Sequence, residues 1–229
     1  MNKNSIRSQT FIIELLNPPM KHSIEKTNEL FSKLKSYYAN CNRPAEGVTE
    51  FSSIANKSTN ETKKCIIKGD RIIIINDFTN SSVESFWDES DLILREIVGF
   101  LQIPLFFFRN YIVRLIANPL NEADSRIFLG NMVCGLDEAK LAPFKRPIHG
   151  IGMRFVFPAI KQIPNEFNVR VESFLQNTKH IFIENQARFL NPLQIQDNHF
   201  EMLKKELLET YNFLKENVAD FLMQYNKEN

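Results

Sequence analysis

Thr10 to Leu16 is rich in β-branched and aromatic residues and stops at Asn17-Pro18-Pro19, where two prolines cannot continue a ladder, so the first element is a strand. Met20, Ile24, Phe31, Leu34 and Tyr38 then recur at helical spacing, with Lys, Glu and Ser opposite, the pattern of a helix with one buried stripe. Asn40 to Gly47 reads as a loop, Val48 to Asn56 as a weak strand and Lys57 to Thr62 as a polar turn. Lys63 to Lys68 and Arg71 to Phe78 flank Gly69-Asp70, which predicts a tight hairpin. Ser81 followed by Glu84 has the form of a capping box. It opens a helix whose Val83, Phe86, Trp87, Leu94, Ile97, Val98 and Leu101 face inward.

The remaining residues repeat this order. Leu105 to Ala117 is a long strand ended by Asn118-Pro119. A helix over Glu122 to Cys134 is weakened by Gly130 and stopped by Gly135, and Asp137 to Leu141 adds a short turn. His149 to Phe157, Phe167 to Phe174 and Lys179 to Phe189 alternate as antiparallel strands, the last two joined across Gln176-Asn177-Thr178. Phe200, Leu203, Leu207, Tyr211, Leu214, Val218, Phe221 and Tyr225 then mark a closing helix, a stripe about 40 Å long if straight.

Two local echoes accompany the repeated order. Phe11-Ile12-Ile13-Glu14-Leu15-Leu16-Asn17-Pro18 matches Tyr111 to Pro119 with one residue missing, and Arg71 to Asn76 reads like His180 to Asn185. The expectation is an α+β fold: a mostly antiparallel sheet with helices on one face. It is built from a duplicated strand, helix, three strands, helix unit, with halves 1–102 and 103–229 packed as one domain. As a fold analogy, the pattern resembles the duplicated saddle of TATA-binding-like folds and the helix-grip folds, which implies a curved sheet cradling helices and says nothing of activity.

Composition narrows the partners. A 43% apolar fraction, 24% charged residues, seven glycines and twenty phenylalanines exclude a disordered chain and call for an aromatic core. Formal charge is +1, from 28 basic and 27 acidic side chains, so no global field draws nucleic acid or an anionic membrane. Cys41, Cys65 and Cys134 are scattered and form no Cys-x-x-Cys pair, which points to a reducing cytoplasm. The polar start and the short apolar runs give neither a signal core nor a membrane span. The wealth of Asn, Ile and Lys fits an AT-rich microbial genome.

Alternation decides the candidate surface. If helices cover one face, Arg114, Arg154, Arg170, Glu172, Glu184, Gln186 and Arg188 share the other and form one polar patch. Such a patch is either a solvated face laced with ion pairs or a groove for a protein partner or small ligand. Glu172 and Glu184 could pair as hydrolytic carboxylates, although the arginines around them favour salt bridges. Phe106-Phe107-Phe108-Arg109 carries base-stacking side chains, yet a neutral chain lacks the electrostatic attraction nucleic acid requires. His149-Gly150-Ile151-Gly152 enters a strand instead of a helix and is a sheet bend, not a phosphate loop. His22, His149, His180 and His199 lack metal-ligand spacing, and no cofactor motif is present. The expectation is a cytoplasmic, non-catalytic binding protein, with a hydrolase-type enzyme at the Arg/Glu patch as the alternative and a nucleic-acid saddle third.

Overall fold

The structure, a computed structural model, describes residues 3, 6–119, 124–195 and 199–225. Its centre is a pair of antiparallel strands, β1 (Arg7–Leu16) and β7 (Phe108–Ala117), which join distant parts of the chain. On the β1 side come β5 (Arg71–Asp77), β4 (Glu61–Lys68), β3 (Val48–Asn56) and β2 (Asn40–Ala45). On the β7 side come β10 (Ile181–Phe189), β9 (Asn165–Ser173) and β8 (Gly152–Phe157). The result is a nine-stranded, wholly antiparallel sheet. Two short strands, β6 (Leu105–Phe106) and β11 (Leu193–Gln194), pair separately.

The inward positions of the strands are apolar, and the helices pack on that face alone. Phe11, Ile13, Leu15, Ile72, Ile74, Val113, Leu115, Val169, Val171, Ile181 and Ile183 join one core cluster with the helices. These are α1 (Ile24–Lys33), α2 (Val83–Leu101), and α3 (Ser125–Ile127) with a π-helical extension over Phe128–Val133. The last is a C-terminal helix made of α5 (His199–Asn212), a π-helical stretch over Phe213–Val218, and α6 (Ala219–Met223). Phe11 stacks on Phe86 of α2 at 5.0 Å and contacts Tyr211 of α5 at 6.2 Å, so one strand residue ties helices from both ends of the chain.

Several local expectations change. Asn40 to Gly47 forms β2 and its turn instead of a loop, because an edge strand tolerates Pro44 with its missing N–H and β2 pairs only with β3. The cap of α2 is Ser82, whose hydroxyl accepts from the Ser85 amide, one residue beyond the capping box read at Ser81. The first helix keeps only Ile24–Lys33, capped by Ser23, since Met20 is held by a bond from its N–H to the Gly69 carbonyl at 2.7 Å. Gly69 itself has no positive φ; a side chain there would meet the Met20 carbonyl at 3.0 Å, so close approach and not turn geometry calls for glycine. The strand expected over Leu105 to Ala117 breaks at Phe107, whose N–H bonds to the Leu16 carbonyl. The strand expected from His149 starts at Gly152. The helix expected from Glu122 begins at Ser125, capped by Asp124; Glu122 itself lies outside the described residues. A short α4 (Glu138–Leu141) follows, capped by Asp137. No helix among the described residues is long and apolar enough to cross a membrane.

Candidate interaction surface

With the helices on one side, the alternate residues of every strand face away from them. Arg114 of β7, Glu184, Gln186 and Arg188 of β10, Arg170 and Glu172 of β9 and Arg154 of β8 all take this open face, and the register makes them neighbours. Glu184 stands opposite both Arg114 and Arg170, Arg154 opposite Arg170, and Gln186 opposite Ile112 and Asn168.

Glu184 is the anchor of the patch. Arg114 Nε donates to its Oε2 at 2.7 Å, and Arg170 Nε stands 3.2 Å from its Oε1 as an ion pair without hydrogen-bond geometry. Its side chain is only 12% exposed, which the flanking guanidiniums compensate. Arg170 also lies 3.7 Å from Glu172 and over the Phe182 ring. Arg188 pairs with Glu166 at 3.6 Å, whereas Arg154 Nε donates to the neutral amide oxygen of Asn168 at 2.7 Å. Across the β1 side, Arg71 donates to Glu14 at 2.8 Å, and Glu14 accepts from Asn110 at 3.0 Å. Hydrogen bonds from Arg71 hold the Asp70 carboxyl below the usual range.

Between these rows the face is apolar. Ile66, Ile73, Ile75, Ile12 and Ile112 point outward and are half-buried. Ile66 opposes Ile73, Ile75 opposes Ile12, and Ile12 opposes Ile112, so the stripe crosses strands β4, β5, β1 and β7. Period-two alternation in Arg71-Ile72-Ile73-Ile74-Ile75 carried the signal, but a run of isoleucines conceals which members face out.

Glu172 and Glu184 do not share the depression at this edge of the sheet. An open depression of about 500 Å³ touches Glu172 through Gly150, Gly152, Met153, Arg154 and Arg170 without reaching Glu184. The Phe106-Phe107-Phe108-Arg109 run is divided: Phe106 is fully buried, Phe107 is exposed, and Arg109 turns to the helix side. A larger cavity of about 690 Å³ lies between α1 and the β2–β3 turn, lined by Lys21, His22, Arg43 and Thr49. Burial, helped by Lys26, pulls the His22 imidazole below its ordinary value.

Sequence reasoning missed one cluster. Arg109, 4% exposed, donates from Nε and Nη2 to both oxygens of Glu206 at 2.8 and 2.7 Å, and from Nη1 to the Asn191 carbonyl. Tyr111 donates its hydroxyl to Glu206 at 2.9 Å, and burial, with Glu206 beside it, pushes the phenol well above its usual value. Asn165 Nδ2 donates to Glu209 at 2.6 Å nearby, and the cluster floors a cavity of about 490 Å³ walled by Ile163, Phe189, Leu193 and Met202. Glu206 interrupts the apolar stripe of α5 between Leu203 and Leu207, which was the available signal. Every polar atom of the ion pair is committed internally, so it serves first to fix α5 on the sheet. Among the described residues, no group of three or more His, Cys, Asp or Glu is placed to hold a metal ion.

Among known proteins, no family model and no curated sequence matches the chain, which leaves the geometry of the open face and of the Arg109 cluster as the grounds for a function.

Proposed function

We propose that the chain is a non-catalytic binding protein that receives a protein partner on its open sheet face. The observation that carries this is the isoleucine stripe through Ile66, Ile73, Ile75, Ile12 and Ile112, flanked by the Arg114–Glu184–Arg170 and Arg71–Glu14 ion pairs. A one-sided sheet ordinarily presents polar residues to water, and an apolar centre with a charged rim is the composition of an interface. The face is broad and the depression on it is open, not enclosed, which favours a macromolecular surface over a small molecule. Glu184 is already neutralised by two arginines, which favours a positioning role over acid/base chemistry.

Two features fit an origin by duplication. Ile12 pairs with Ile112, Phe11 with Val113 and Ile13 with Tyr111, the exchange expected if a local twofold passes through the Ile12–Ile112 pair and relates Phe11 to Tyr111. The outward pairing order is also shared: β5, β4, β3 on one side, β10, β9, β8 on the other. The second sequence echo sits off this relation. Ile72 opposes Leu15 and Ile183 opposes Leu115, so Ile72 corresponds to Ile183, two residues beyond the match read from Arg71 and His180. The free thiols of Cys41, Cys65 and Cys134 agree with cytoplasmic residence.

Native mass spectrometry of the chain isolated from its source cell, beside an Ile12→Glu/Ile75→Glu variant of equal thermal stability, tests the proposal. A polypeptide partner bound to wild type and lost from the variant is expected. A partner retained by the variant, or a small molecule as the sole companion, rejects it.

A further inference from the structure

The two edges of the sheet are treated differently by the sequence. β2 is blunted by Pro44, and its register with β3 shifts between Asn42 and Ala45. These devices keep an edge from pairing with another strand. β8, Gly152-Met153-Arg154-Phe155-Val156-Phe157, has no proline, no lysine and no register shift against β9. Ser173 donates its N–H to the Ile151 carbonyl at 2.8 Å, which marks that pair as hydrogen-bonded. By alternation, Met153, Phe155 and Phe157 turn their backbone groups to β9, while Gly152, Arg154 and Val156 turn theirs to the open edge. Val156 is 55% exposed and Phe157 44% exposed, so apolar side chains accompany the free backbone groups.

The same edge carries two charges that do not satisfy each other. Among the described residues, Arg154 bonds only the neutral Asn168 and has no ion pair, and Glu172 has only the 3.7 Å contact with Arg170. Glu172 folds over Gly152: a side chain at 152 would meet Glu172 Cγ at 2.6 Å and the Val171 carbonyl at 2.7 Å. Glycine therefore leaves the carboxylate facing the edge, on the wall of the open depression that Arg154 also lines.

We infer that β8 pairs antiparallel with β8 of a second copy of this chain, about a twofold axis through the Met153 pair. In that register Gly152 faces Arg154 of the other copy in a hydrogen-bonded pair, and the reverse pair follows by symmetry. Each Arg154 then turns from Asn168 across the bare Gly152 toward the other copy's Glu172, whose Cα lies two strand spacings away, ~10 Å, within reach of the two side chains. Val156 falls opposite Gly150, where the exposed Leu175 side chain lies and offers it an apolar neighbour, and Phe155 opposite Ile151 on the helix side, extending the core across the axis. The occupant is a second copy because the edge presents, one pair apart, both the guanidinium and the carboxylate that the symmetric register brings together. Such a dimer leaves the isoleucine stripe of each copy free, so it stands independently of the partner proposed above.

The test uses the full chain with Cys134→Ser, which removes an exposed thiol. Met153→Cys in this background is expected to give a disulfide-linked dimer with oxidised glutathione, since residues facing each other in a non-hydrogen-bonded pair sit within disulfide range. Phe155→Cys, displaced from its symmetry mate by four residues, is expected not to link. Sedimentation velocity of the unmodified chain should show a dimer that Arg154→Glu weakens roughly a hundredfold through the two symmetric like-charge contacts it creates. Adding Glu172→Lys to that variant should restore it. A monomer at high micromolar concentration, no linkage through Met153→Cys, or a dimer indifferent to Arg154→Glu overturns the inference.

Discussion

Arg109 and Glu206 make a sharp test of the core, because their side chains are only 5% and 6% exposed and both carboxylate oxygens are engaged. Arg109→Met keeps the length and apolar stem of the side chain but leaves Glu206 buried with only the Tyr111 hydroxyl. Breaking a buried pair from one side costs about 3–5 kcal/mol. In a chain of this size each 1 kcal/mol lowers the melting temperature by roughly 2–4 °C, so a fall of about 6–20 °C is expected. Arg109→Met/Glu206→Leu removes the stranded charge and should recover most of that loss. What remains is the orphaned Tyr111 hydroxyl, about 1–3 kcal/mol; the Asn191 carbonyl, on an exposed residue, can turn to water. Adding Tyr111→Phe should bring the triple variant back near wild type. Urea unfolding at pH 7, followed by circular dichroism, measures these variants and the Glu206→Leu single variant beside wild type. If Arg109→Met lies within about 1 kcal/mol of wild type, or the double variant costs the sum of its parts, the pair does not sit in a desolvated site.

Two further outcomes follow from burial. Tyr38 and Tyr111 are both raised well above the ordinary tyrosine value, chiefly by desolvation, so ultraviolet titration of the native protein should leave both protonated where a free phenol ionises. The unfolded chain gives up those protons at about pH 10 and the folded chain does not, so stability declines as pH rises above about 10, and a flat stability profile there contradicts the assignment. Ile74→Ala, at a site 3% exposed in the core, should cost about 2–5 kcal/mol in urea unfolding, whereas Ile75→Ala on the open face should cost less than about 1 kcal/mol; equal costs would mean that the open face is covered.

Alternation and periodicity were enough to find most of the sheet, because they report which side of each element is buried. Val48 to Asn56, the Lys63–Phe78 hairpin and the inward residues of α2 follow directly, and the closing helix keeps its stripe even where it widens into a π-helical stretch. The misses lie where a distant segment overrides local preference. β2 is a strand only because β3 offers a ladder, and the turn at Gly69 is shaped by Met20, which no property of Gly69-Asp70 reveals.

The surface shows the same division between local and distant control. That Arg114, Arg154, Arg170, Glu172, Glu184, Gln186 and Arg188 share a face depends only on strand phase. Which of them are satisfied depends on register: a slip of two residues would keep the face and exchange every partner. Glu184 is clamped because β10 lies between β7 and β9 with Arg114 and Arg170 at the same level, while further out Glu172 of β9 faces only the side-chain-less Gly152 and Arg154 of β8 has no strand beyond it. Burial and pairing thus fall away together from the centre of the sheet to β8. On the open sheet face, the edge pair Arg154 and Glu172 and the isoleucines that no helix covers are therefore still able to form new contacts, and association on this face would begin at these two places.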